Sequence, residues 1–223
     1  DKVLDVARGT GVVAITAARL GATVCGSDIT PELIKRAKEN AEISKYNIDF
    51  KVADVEELPY DDNSFDIVLS QFGHMFAPRP EVAISEMLRV LKPKGIVAFS
   101  TWPPELLTGR LFVLTSKYGP PMPKDISPPV AWGEVEIIKE RLGDNVKNIT
   151  FHRAEYGNPA LSPSHMRLLI ETYIGPVAAT VKQLEADPKT LSQFREEMDK
   201  LLGEYFQNNA VIQSYLMTRA VKI

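Results

Sequence analysis

The run Asp5-Val6-Ala7-Arg8-Gly9-Thr10-Gly11 stands between the apolar pair Val3-Leu4 and the helix-like stretch Val12 to Leu20. A strand that ends in a glycine turn and passes straight into a helix gathers backbone N–H groups and the positive end of the helix at one point. A nucleotide-like ligand can lie against the main chain there. Read as Gly9-Thr10-Gly11-Val12-Val13-Ala14, the turn satisfies the GxGxxA dinucleotide fingerprint. Asp28, 19 positions after Gly9 at the end of a second strand-like run, stands where a ribose-binding acid belongs. These two features admit NAD(P). Asp5 argues for a different ligand, because dinucleotide domains usually end their first strand on an apolar residue. A carboxylate at that place suits a ligand that brings a positive group, and its burial is costly if it stays unpaired.

A second concentration of reactive side chains is Ser70-Gln71-Phe72-Gly73-His74-Met75-Phe76. His74 is the residue there whose ordinary pKa suits it to take a proton from a reacting hydroxyl or amine, so it is the candidate general base; the alternative is a hydrogen-bonded structural histidine. Phe72, Phe76 and Trp102 offer ring faces to a cation or an apolar molecule, or are plain packing. Nothing in the spacing of His152 and His165 suggests a metal site, and no metal is expected.

The elements that must position these residues alternate between strand-like and helix-like runs up to about Trp102, the pattern of βαβ units and a parallel sheet. Strands are expected at 3–6, 23–27, 49–52, 67–70 and 96–100. Thr30 as N-cap, Pro31 and Glu32 start a helix whose apolar face is Leu33, Ile34, Ala37 and Ala41. A later helix, 81–91, carries Ile84, Met87, Leu88 and Leu91 on one side and stops at Lys92-Pro93-Lys94-Gly95. From Pro103 to about Pro188 the texture changes. Prolines crowd at Pro103, Pro104, Pro120, Pro121, Pro123, Pro128 and Pro129, which reads as an insertion after the fifth strand, at the edge where ligands bind, and so as a cap. Leu191, Phe194, Met198, Leu201 and Tyr205 then form a packing stripe, and Ser214 to Ile223 alternates as a closing strand.

At 223 residues the chain suits one α/β domain with an elaboration. Apolar residues at 44% and charged residues at 25%, with no run long enough to span a bilayer, argue against disorder and membrane insertion. A net charge of −3 with dispersed Lys and Arg gives no footprint for nucleic acid. The single cysteine, Cys25, can form no intrachain disulfide, which fits a reducing, cytoplasmic compartment.

The first half of the chain resembles the class I S-adenosylmethionine-dependent methyltransferases, especially the branch of ubiquinone and menaquinone biosynthesis enzymes. The resemblance rests on motifs in order: 3–11, Gly26-Ser27-Asp28-Ile29-Thr30-Pro31-Glu32-Leu33, Ala53-Asp54-Val55-Glu56-Glu57-Leu58-Pro59, Ser64-Phe65-Asp66-Ile67-Val68, and 86–95. It implies an α/β, Rossmann-like fold: a mostly parallel seven-stranded sheet with an antiparallel final strand, helices on both faces and a helical cap. The segments would be a cofactor core (1–102), a cap and acceptor-binding insertion with a late strand (103–188), and a C-terminal helix with the closing strand of the core (189–223).

The resemblance places Ala7, Gly9 and Gly11 around the methionine portion of S-adenosylmethionine. It puts Asp28 on the ribose hydroxyls, Ile29 on the adenine face, and Asp54 with Val55 at the adenine edge. Asp5 and Ser70 complete the expected cofactor set, and Gln71, Phe72, Met75 and Trp102 form the expected acceptor set. The sequence departs from the family at Ala7-Arg8, where Gly-Cys is more common. Alanine fits if its φ stays negative, and Arg8 is expected to point to solvent. The expected reaction is in-line transfer of a methyl group to a small molecule, leaving S-adenosylhomocysteine. An NAD(P)-dependent oxidoreductase and a non-catalytic cofactor-binding module are the alternatives. The acceptor and the oligomeric state are not readable.

Overall fold

The structure is a computed structural model that describes residues 1–119 and 126–223; Pro120, Pro121 and Pro123 lie outside the described residues. In chain order the elements are β1 (Lys2–Val6), α1 (Val12–Arg19), β2 (Thr23–Asp28), α2 (Pro31–Ile43), β3 (Asp49–Val52), β4 (Phe65–Gln71), α3 (Pro80–Val90) and β5 (Leu91–Thr101). They continue with α4 (Leu107–Tyr118), α5 (Val135–Leu142), β6 (Val146–Pro159), α6 (Pro163–Tyr173), α7 (Gly175–Leu184), α8 (Pro188–Gly203), β7 (Phe206–Gln207) and β8 (Ala210–Lys222).

The sheet runs β3-β2-β1-β4-β5-β8-β6, with the two-residue β7 paired to β8 as an eighth strand. β1 to β5 are parallel and β8 runs antiparallel to β5. β1 is buried from Val3 to Val6, as a strand covered on both faces must be, so it reads as an apolar run broken only by Asp5. The strand order reverses direction between β1 and β4. Right-handed crossovers therefore put α1 and α2 on one face and α3 on the other, and open a crevice at the carboxyl ends of β1 and β4. Val3, Ala14, Ile15, Val24, Ile34, Ala37 and Phe50 form the core on the α1 and α2 face.

The chain divides into two compact units: 1–101 with 127–152 and 216–223, and 102–126 with 153–215. The division differs from the expected segments in two places. Residues 127–152 join the first unit, because Trp132 is drawn into its core. The stripe on α8 belongs to the second unit, where Phe194, Met198, Leu201 and Leu202 pack with Leu107, Leu111, Met166 and Val177. Thr30 makes no side-chain cap; its backbone N–H donates to Asp28 Oδ1 at 2.9 Å, so the acid before the helix supplies the acceptor. No helix of the described residues is long and apolar enough to cross a membrane.

Candidate cofactor site at the glycine turn

The turn after β1 is built from left-handed backbone. Ala7 has φ 48°, Gly9 58° and Gly11 88°, and α1 starts directly after Gly11. The negative φ expected of Ala7 is therefore corrected: this alanine sits where a Cβ costs about 1 kcal/mol. Gly73, just after β4, presses on Ala7 so closely that a Cβ on Gly73 would lie 2.0 Å from the Ala7 carbonyl oxygen. On Gly9, by contrast, a Cβ would meet nothing within 4 Å, so the turn has an open side.

Two carboxylates flank the turn. Asp28, only 7% exposed, accepts from Gly9 N at 2.8 Å and from Thr30 N at 2.9 Å, one bond to each oxygen. Each oxygen keeps capacity for a further donor. Asp5 is fully buried; its Oδ2 accepts from Ala14 N at 2.9 Å, while its Oδ1 has no partner. Burial pushes the Asp5 carboxyl up to about 7 against the opposing pull of Arg8. An orphaned buried carboxylate oxygen beneath a glycine turn is what a positively charged ligand would satisfy.

The rest of the expected cofactor set gathers at the same rim. Ile29 is exposed, and Ala53 N donates to the Asp28 carbonyl, which brings the half-buried Asp54 and Val55 beside the end of β2. Two acids to which the sequence assigned no role fix that segment. Buried Glu56 accepts from Arg79 N and Nε at 2.6 and 2.7 Å, and Glu86 accepts from Leu58 N at 2.8 Å. The acidic run 54–57 carried no signal to separate Glu56 from a solvated charge.

Arg8 does not point to solvent. It is 7% exposed, lies 3.6 Å from the centre of the Phe50 ring, and runs past Gly26, where a Cβ would come within 2.5 Å of it. The missing Cβ of Gly26 is the slot that admits it.

The expected acceptor residues differ in exposure. Gln71 is exposed and Phe72 half-buried with φ 64°, but Met75 is 1% exposed and packs inside. Trp102 belongs to the second unit, buried against Tyr156 and Tyr215 at ring distances of 6.2 and 6.4 Å. His74 is also corrected. It is fully buried between Phe99 and Trp132, 4.7 and 4.8 Å away, with Nδ1 on Ser70 Oγ at 3.0 Å and no partner on Nε2. Burial lowers it to about 3, so it is a weak base, and the ring is enclosed away from solvent. Ser70 is thereby committed to His74 as well as placed at the end of β4. Among the described residues no group of three His, Cys, Asp or Glu side chains is placed to hold a metal.

The methyltransferase domain model matches residues 4–99, the stretch that contains the turn and both acids. A demethylmenaquinone methyltransferase of Clavibacter sepedonicus is 36% identical over 120 residues, 52% of this chain and 48% of that protein. The chain belongs to the class I S-adenosylmethionine-dependent methyltransferases. This methyltransferase is also 32% identical over its whole length to an uncharacterized protein of Mycobacterium bovis, covering 81% of it. In fold it is similar to a Haemonchus contortus N-methyltransferase solved with S-adenosylhomocysteine, at a TM-score of 0.59 and 19% identity, over 100% of this chain and 48% of that one. S-adenosylmethionine is the methyltransferase's cofactor. The orphaned Asp5 oxygen, the open side of Gly9 and the spare acceptor capacity of Asp28 fit it.

Proposed function

We propose that this methyltransferase acts on a small organic molecule, holding its cofactor through Asp5, Ala7, Gly9, Gly11, Asp28, Ile29, Asp54 and Val55. The observation that carries the reading is Asp28: two backbone donors fix its carboxylate beside the turn, pre-set to accept a pair of hydroxyls. Asp5 offers a charge to the cofactor's amino-acid end, and the rim of Ile29 and Val55 offers apolar surface to its base.

S-adenosylmethionine supplies an activated methyl together with its own leaving group. The protein's residues therefore have to bind, align and exclude water rather than supply a strong acid. Gln71 and Phe72, at the end of β4, are the acceptor-side residues of the proposal. With His74 neutral and enclosed, the mechanism uses no histidine base there.

The Clavibacter relative's name makes quinones and their reduced quinol forms the first class of acceptor to try. Methyl-labelled S-adenosylmethionine is incubated with panels of phenols and quinols, amines, and carboxylic acids. Label entering one class, with equimolar S-adenosylhomocysteine, supports the reading. Tight binding with no transfer to any class favours the non-catalytic module, and stabilisation by NAD alone favours the oxidoreductase.

A further inference from the structure

Arg8 is the unusual residue of the turn, and nothing in the reaction as described uses it. Its guanidinium lies on Phe50 beneath the turn, with Nε and Nη2 unpartnered and Nη1 only 3.5 Å from the Gly9 carbonyl. A Cβ on Gly11 would lie 2.8 Å from Nη1, so the turn closes directly over it. A buried arginine without full hydrogen bonding is expensive and persists only where its charge is compensated. The charges that compensate it are Asp5 first, then Asp28, both of the acids that flank the site.

On β3, Asp49 and Lys51 flank Phe50, and Lys51 Nζ lies 4.7 Å over the ring of Tyr60. On α1 the only charged side chain is Arg19, at the far end. On α2 Ala37 packs at Gly11, while Lys35, Arg36 and Lys38 are exposed. Leu69 of β4 and Gly26 of β2 flank Asp5 in the sheet. Tyr60, which also faces Arg8, is held protonated by burial.

We propose that Arg8 is a positioning residue for the methyl donor: from its slot beneath the turn, against the Gly26 that pairs with Asp5 in the sheet, its charge opposes the burial that keeps a proton on Asp5, and so sets how far toward acid pH the site binds its cofactor. This rests on the cofactor-site reading above. Gly26 and Phe50 make room for the guanidinium and hold it flat.

The test is calorimetric titration with S-adenosylhomocysteine from pH 5.5 to 9.5, for the wild type, Arg8→Met, which fills the slot without charge, and Arg8→Lys, which restores charge. In the wild type affinity falls as pH drops through the titration of Asp5. In Arg8→Met this acid limb moves up by about 1–3 pH units, as expected on losing a close opposite charge, so that affinity is at least about tenfold weaker near neutrality and recovers toward pH 9.5. Arg8→Lys returns the limb toward its wild-type position. Should Arg8→Met not fold, Phe50→Leu, which removes the support of the guanidinium, is expected to move the limb in the same direction. An unmoved limb, with affinity unchanged or weakened by one factor at every pH, overturns the proposal and leaves Arg8 a space-filling residue. A wild type that binds no S-adenosylhomocysteine at any pH overturns the site reading itself, and the proposal with it.

Discussion

Replacing Asp5 by asparagine is expected to make the folded protein more stable at alkaline pH while weakening the site. The carboxyl is fully buried, has one hydrogen bond, and titrates at about 7 where an exposed aspartate titrates at 3.8. Between those two values the folded chain keeps a proton that the unfolded chain has already released, so stability falls as pH rises through the window and is lowest above about 7. That span of about three pH units, at about 1.4 kcal/mol per unit, comes to about 4 kcal/mol. Asparagine can keep the bond from Ala14 N and never ionises, but it puts an unpaired N–H2 where the orphan oxygen stood, at a cost of about 1–2 kcal/mol. The variant should therefore be less stable than wild type at pH 4 and about 2–3 kcal/mol more stable at pH 8.5.

Urea unfolding without cofactor at pH 5 and pH 8.5 measures this. From the lower to the higher pH the wild type should lose about 3 kcal/mol more than the variant. Parallel pH dependences would refute the reasoning, since they would mean that Asp5 is not the carboxyl carrying the buried proton.

Ala7→Gly relieves the left-handed backbone but frees the unfolded chain, so its stability should stay within about 0.5 kcal/mol of wild type, whereas Ala7→Val should lose about 1–2 kcal/mol; both are read from urea midpoints. Gly73→Ala drives a Cβ into the backbone of Ala7 and should cost about 1–3 kcal/mol together with most cofactor affinity, measured by melting temperature and by titration. His74→Ala removes a fully buried ring and should cost about 2–4 kcal/mol, while the pH profile of turnover between 6 and 8 keeps its wild-type shape; loss of an ionisation from that profile would restore His74 as the base.

The strands of the first half were legible because a parallel sheet buried on both faces writes itself as short apolar runs closed by turns. β3, for example, begins and ends where the sequence predicted, and Asp5 and Asp28 stand at the carboxyl ends of β1 and β2, as the sequence placed them. What the sequence hid depends on distant neighbours. The direction of Arg8 was set by an absent Cβ at Gly26 and a ring on Phe50, neither adjacent to it in the chain. The burial of His74 was set by Trp132, which returns to the first unit from a proline-rich stretch that read as part of the insertion. The left-handed Ala7 is approached closely by Gly73, far along the chain at the other side of the crevice. Local patterns show where the turn is; its strain and its underside are tertiary.

The central claim is that the turn between Asp5 and Asp28 holds S-adenosylmethionine. The most direct measurement is equilibrium titration of the protein with S-adenosylhomocysteine beside Asp28→Ala, with NAD as the competing ligand. One saturable site in the wild type, weakened at least about tenfold in a folded Asp28→Ala and absent for NAD, is the predicted result. Equal affinity in the two proteins, or saturable binding of NAD alone, would contradict it.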